Sequence, residues 1–195
     1  MTSDVDAART EAAWTAVGYL ALQGAKVTAR RLASAAGLSE RTFYRYFPVR
    51  GDILRPVMRD AQDDIARAID AQPAVLSLGD ALVAGFAAVA EGAYLERTRR
   101  LLPVVFGSPS YGAVWSQELR QHRPPLRQAI ARRLGCGPDD LTTDVTASVF
   151  LTLVEDALAA MVETGSAPAP LLAERLRLVG SPLFASTGTV YLATP

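Results

Sequence analysis

One cysteine, one histidine and no net charge leave this chain short of the groups that several functions require. Cys136 has no second thiol for a disulfide and no companions for a cysteine-rich metal site. Ahead of Gly137 it reads as incidental. His122 stands among Arg120, Gln121 and Arg123 and is expected to be exposed. One such histidine supports neither a Ser-His-Asp triad nor a metal cluster. No apolar run is expected to reach the ~18 residues of a membrane span. The opening residues hold acids and no basic stretch before an apolar block, so no secretory leader is expected. Residues 72–195 offer no paired catalytic acids, no nucleophile with a base and no phosphate loop. Glu155 and Asp156 are adjacent and project in different directions from a helix. The expectation is a cytoplasmic protein with no cofactor and no enzymatic activity.

Half of the 195 residues are apolar, enough for a sizeable core in one or two domains. A net charge of zero, taken alone, argues against a nucleic-acid partner. Its distribution argues the other way. Between positions 26 and 59 stand Lys26, Arg30, Arg31, Arg41, Arg45, Arg50, Arg55 and Arg59, against only Glu40 and Asp52. A basic module on an otherwise acidic body is the electrostatic footprint of a DNA reader.

That module contains two short helices around a tight turn. Thr28 is placed to cap the first, with Val27 and Leu32 as its hydrophobic staple. Gly37 supplies the left-handed stop. Ser39 caps the second helix, with Leu38 and Phe43 as its staple. Two capped starts around a glycine stop make a helix-turn-helix. Leu32, Ala33 and Ala36 share one side of the first helix. Phe43 and Phe47 point inward from the second at i, i+4, leaving Arg41, Tyr44 and Arg45 outside. Arginine binds guanine bidentately and tyrosine hydroxyls reach phosphate oxygens, so this outer face suits a DNA major groove. Upstream, Ala13, Ala16, Val17 and Leu20 follow the helical template from about Arg9 to Gln23, with residues 1–7 frayed, giving a third helix to cross the pair. Downstream, a helix from about Arg50 to Ala71 would bury Ile53, Leu54, Val57, Met58, Ala61, Ile65 and Ile69. Pro56 implies a kink, or a true start near Leu54.

Residues 9–58 resemble the DNA-binding domain of the tetracycline-repressor (TetR) family of bacterial regulators. The carrying segments are Thr28 to Ser39, Arg41 to Pro48, and Asp52-Ile53-Leu54. The resemblance implies an all-helical homodimer with a divergent ligand-binding C-terminal domain. By position, Thr28 matches a phosphate contact, and Glu40, Arg41 and Thr42 match the recognition helix. Tyr44 and Tyr46 match a tyrosine and a histidine beside the backbone, and Arg50 a lysine at the start of the fourth helix. Ser39 and Arg45 complete the expected DNA-binding set. Glu40 either accepts from cytosine or serves as a first-turn acid. Val49 stands where a capping serine is usual, and Gly51 and Pro56 make the next turns atypical.

The remaining chain reads as a helical bundle. Leu76 to Tyr94 is expected as one nearly all-apolar helix, followed by a short one from Glu96 to Phe106 and a loop at 107–110. Tyr111 to Gln121 and Pro124 to Leu134 are helical pieces. Pro138 is expected to open a strong helix from Asp140 to Glu163, ended by Gly165 and Pro168, and Leu171 to Val179 follows. The division expected is 1–49 for the helix-turn-helix domain, 50–71 for the connecting helix, 72–180 for ligand binding and dimerisation, and 181–195 as a flexible tail in which Thr189 to Leu192 is a possible extended piece. The two late helices are expected to form the two-fold dimer. Phe86, Tyr94, Phe106, Tyr111, Trp115, Phe150 and Val154 are expected to line a pocket for an apolar or aromatic effector. Glu155 is either its polar anchor or an exposed carboxylate. The resulting expectation is a repressor released from a palindromic double-stranded operator by a small hydrophobic molecule, with no membrane partner. The competing reading is a helical ligand-binding protein or enzyme that keeps the fold without reading DNA.

Overall fold

A computed structural model describes residues 2–121 and 123–179. His122 and the tail at 181–195 lie outside the described residues. Among the described residues ten α-helices follow one another: α1 (Thr2–Gln23), α2 (Ala29–Ala35), α3 (Glu40–Tyr46), α4 (Leu54–Asp70), α5 (Leu78–Val89), α6 (Gly92–Phe106), α7 (Pro109–Gln121), α8 (Pro124–Leu134), α9 (Leu141–Thr164) and α10 (Pro168–Val179). A 3-10 turn, Arg50–Ile53, precedes α4. There is no strand among the described residues, and the all-α expectation holds.

The helices divide into two compact units, one of Met1–Ala61 with Gly92–His122, the other of Gln62–Glu91 with Arg123–Pro195. The division does not follow chain order: α6 and α7 cluster with the helix-turn-helix. In that first unit Ala13, Ala16, Val17 and Leu20 of α1 are buried together with Leu32, Phe43, Phe47, Ile53 and Leu54. Leu101, Val105 and Tyr111 of α6 and α7 close the same core. α1 lies along α6, and α7 lies on the 3-10 turn. In the second unit α9 packs on α8 and α10, and α10 on α5.

Most departures from the sequence reading lie at helix ends. α1 is helical from Thr2 rather than frayed to residue 7, and Asp4 in its first turn favours the positive helix end. α4 does begin at Leu54, after the 3-10 turn, so Pro56 falls in the first turn, where its missing N–H costs nothing. Ala61 and Ile65 are only half-buried; steps of four, four and three from Met58 carry the inward line through Gln62, Ala66 and Ile69. The expected helix from Leu76 to Tyr94 is broken after Val89. Gly92, at φ +53, opens a fifteen-residue α6, longer than the short piece expected. Pro109 starts α7, which shortens the expected loop. α9 starts at Leu141 with Asp140 as N-cap residue, because Gly137 to Asp140 form a turn closed by the Gly137 N–H on the Asp140 carboxylate at 2.6 Å. Pro168 begins α10 rather than ending α9; Gly165, at φ +73, makes that stop alone.

α9 also corrects the expectation about membranes. By length and composition its 24 residues are apolar enough to cross one. Its apolar side chains serve the second unit's core: Phe150, Leu151, Val154, Leu158 and Met161 are buried there. Cys136 is held locally, its sulfur 3.1 Å from the hydroxyl of Thr143, which donates to the Gly137 carbonyl at 2.9 Å.

Within the second unit α4 and α5 meet at Gly85. A Cβ there would lie 2.8 Å from the Ile69 backbone nitrogen and 2.9 Å from its Cα. Backbone atoms inside a helix cannot yield separately. Gly85→Ala should therefore destabilise by roughly 1–3 kcal/mol in a urea titration, overriding the helix preference of alanine. A variant as stable as the parent would refute the close approach.

Candidate nucleic-acid interface

Local chemistry builds the interface as the sequence suggests. The Thr28 hydroxyl accepts from the Arg31 N–H at 3.4 Å and caps α2, and Ser39 Oγ accepts from the Thr42 N–H at 3.2 Å and caps α3. Val27 and Leu32 are buried; Gly37 takes φ +68 between the two helices. Phe43 and Phe47 are fully buried and meet edge to face, with ring centroids 5.2 Å apart. These two rings fix the rotation of α3 about its axis.

That rotation decides what faces outward. Glu40, Arg41, Tyr44 and Arg45 are exposed, and Thr42 and Tyr46 are half-buried. Arg41 and Arg45 form no ion pair among the described residues. Glu40 accepts from Arg30 Nε at 2.7 Å, so its carboxylate is already engaged across the two helices. The Arg45 guanidinium lies 5.5 Å from the Tyr46 ring centroid.

Arg50 is placed differently from the exposed arginines. Half-buried, it donates through Nη1 to the Val27 carbonyl at 2.8 Å, and its guanidinium lies 5.2 Å from the Tyr111 ring centroid. Tyr111 is fully buried and its hydroxyl has no hydrogen-bond partner. Burial pushes that hydroxyl above the usual tyrosine range, while the Arg50 charge pulls the other way.

The residue that sequence reasoning missed is Glu118 of α7. Its side chain is fully buried and accepts from Arg55 Nη1 at 2.9 Å and from Arg59 Nε at 2.5 Å. Arg55 also donates to Asp52 at 2.9 Å and to Gln117 at 2.7 Å. Burial is the strongest influence on the Arg55 charge and opposes it. Hydrogen bonds and charges of Asp52 and Glu118 outweigh it and raise its pKa above the ordinary arginine value. Two of the eight basic residues counted toward DNA are thus held by a single carboxylate on a helix distant in sequence. The available signal was a carboxylate in the buried line Tyr111, Val114, Glu118, where an apolar residue is the norm.

Residues 15–56 match the family described as bacterial regulatory proteins, tetR family, and residues 72–183 match the MftR C-terminal domain. The chain belongs to the tetR family of bacterial regulatory proteins. A crystal structure of a tetR-family transcriptional regulator from Streptomyces coelicolor is similar at a TM-score of 0.55 and 18% identity, covering 86% of this chain and 78% of that one. At that identity the likeness concerns the fold. No curated protein sequence matches. As a tetR-family member the protein is a DNA-binding transcriptional regulator, and dimerisation and ligand binding are typical of its family.

The expected effector-binding residues of this tetR-family chain fall in both units. Tyr94, Phe106, Tyr111 and Trp115 belong to the first. Phe106 and Trp115 are in edge contact with centroids 6.0 Å apart, and the Trp115 indole N–H is buried without a partner. Tyr94 lies 5.3 Å from the guanidinium of Arg97, which itself stacks 4.0 Å from the Trp14 ring centroid. Phe86, Phe150, Val154 and Glu155 belong to the second unit. The first three are buried and Glu155 is half-buried. Gln62 there, buried at 6% exposure, has neither amide atom bonded, and Thr146 Oγ1 is likewise unpartnered.

Proposed function

We propose that this regulator represses transcription from a palindromic operator and is released by a small, largely apolar molecule, in the cytoplasm. The observation that carries the DNA half is the outward set on α3: Arg41, Tyr44 and Arg45 exposed on a helix whose inner face is held by Phe43 and Phe47. In this reading Arg41 and Thr42 meet base edges, and Tyr44, Thr28 and Tyr46 meet phosphates. Arg50 reaches phosphate only by leaving the Val27 carbonyl, so its part is the more conditional. Arg41→Ala is expected to cost roughly 1–3 kcal/mol on the best site and to relax base preference there. Tyr44→Phe is expected to weaken all sequences alike. Site selection from random DNA followed by titration checks both; unchanged preference in Arg41→Ala would sink the assignment.

A two-fold dimer supplies the second half-site, since one helix-turn-helix reads too few base pairs, and half-site centres then lie about 34–36 Å apart or a multiple of it. We assign the dimer to α9 and α10. Leu141, Val145 and Leu178 are exposed apolar residues on these helices, whereas Leu172 and Leu176 serve their own unit's core. Val145→Asp with Leu178→Asp should yield monomers by light scattering that no longer hold the palindrome. Dimers of unchanged affinity would exclude this face.

Support for an effector comes from buried polar atoms without partners. Leaving such atoms unsatisfied costs roughly 1–3 kcal/mol each, and a ligand that bonds them recovers it. Tyr111 and Trp115 in one unit, and Gln62 and Thr146 in the other, offer such groups beside apolar side chains. A hydrophobic-compound screen by thermal shift should find stabilising ligands, and each should loosen the operator complex on titration. The coupling cannot exceed the ligand's differential affinity for the two states. Hits that bind and leave operator affinity unaltered would refute induction.

A further inference from the structure

We propose that Glu118 is a positioning residue for DNA binding: through Arg55 and Asp52 it holds the 3-10 turn that carries Arg50. The inference rests on the DNA-reading function and names what aims its surface.

Val49 precedes the turn and has no side-chain oxygen to cap it. The Val49 N–H is instead taken by Asp52 Oδ2 at 2.9 Å. The other oxygen of that carboxylate accepts from Arg55 Nε at 2.9 Å, and Arg55 Nη1 donates onward to Glu118 Oε2 at 2.9 Å. A continuous chain of hydrogen bonds thus runs from α7 through Asp52 of the turn to the backbone N–H of Val49, just ahead of it. Gln117 on Arg55 and Arg59 on Glu118 fix its far end. The turn has little room to move in any case: a Cβ on Gly51 would stand 2.9 Å from Val114 Cγ2 and 3.0 Å from the Ser110 carbonyl.

What the turn carries is Arg50. Its ring contact with Tyr111 and its bond to the Val27 carbonyl join α7 to the residue just before Thr28, the N-cap of α2. Phosphate contacts set the register of a protein on its duplex. An error at the turn is therefore passed to the start of α2. A buried carboxylate is a poor choice for stability, since apolar side chains of similar volume do as well or better at such places. Holding a direction is what the planar arginine fork adds: Arg55 donates through three different nitrogens to Asp52, Glu118 and Gln117.

The test uses the full chain and a palindromic duplex that the wild type selects from random DNA. If the wild type selects none, the DNA reading itself fails. With that duplex, Glu118→Gln and Arg55→Lys are titrated by anisotropy at fixed salt, well below their melting temperatures. Each should keep its helical circular dichroism and lose about tenfold or more in affinity. Val49→Ser, which gives the turn its own cap, should restore affinity to within about threefold in either background while recovering only part of the lowered melting temperature, since a cap is worth less than the broken buried pair. A purely structural role predicts the reverse, affinity following melting temperature with no rescue. Variants that bind like the parent, or a loss that Val49→Ser leaves untouched, would overturn the proposal. Arg55→Lys leaves Arg59 on Glu118 and carries the comparison should Glu118→Gln fail to fold.

Discussion

The DNA-reading unit depends on how a helix of seven residues is held. Isolated helices shorter than about 12–15 residues are marginal in water, so α3 has no stable existence by itself. Its inner face, Phe43 and Phe47, is buried against the same core as α1, α2 and α6. The burial of two aromatic rings supplies what the short backbone cannot, and it also fixes which residues face outward. A helix anchored through one side has its other side defined by default. Arg41, Tyr44 and Arg45 owe their exposure to that anchoring.

Around this helix the electrostatics are arranged on two levels. On the surface, Arg30 and Glu40 form an exposed pair whose net worth is small, as is usual where solvent screens both charges. Inside the unit, Glu118 meets Arg55 and Arg59 with its own side chain entirely buried. Removing one partner of such a pair is costly because a bare charge remains in the core. The same residue types therefore do different work a few residues apart. Arg41 and Arg45 stay available to an anionic partner, while Arg55 and Arg59 are committed to the protein.

The two units also differ in how they use apolar sequence. The first draws its core from six helices and a 3-10 turn, with alanines in α1 and α2 allowing close approach. The second contains α9, whose apolarity would satisfy a membrane span, yet whose buried residues complete a helical core with α8 and α10. Hydropathy measures a segment without its neighbours, so it cannot separate a central core helix from a spanning one.

The helix-turn-helix was legible from sequence because its signals are local. N-caps at Thr28 and Ser39, staple residues five positions apart and a left-handed glycine act within one or two turns of chain, and the structure keeps the caps, the glycine and the staple residues in the core. The α1 stripe was legible for the same reason. Helix ends were less so: whether Pro168 stops one helix or starts the next, and where the apolar run after Leu76 breaks, depend on which side chains find a core. The partners of Glu118 and Arg50 were beyond reach altogether. Sequence spacing says nothing of the partners that Arg55 finds 63 positions away, or of the Tyr111 ring over which Arg50 lies. Local periodicity determined the motif and the fold class. Only tertiary packing decided which charges reach the surface and which are consumed within it, because a buried charge is set by its neighbours in space and not by its neighbours in chain.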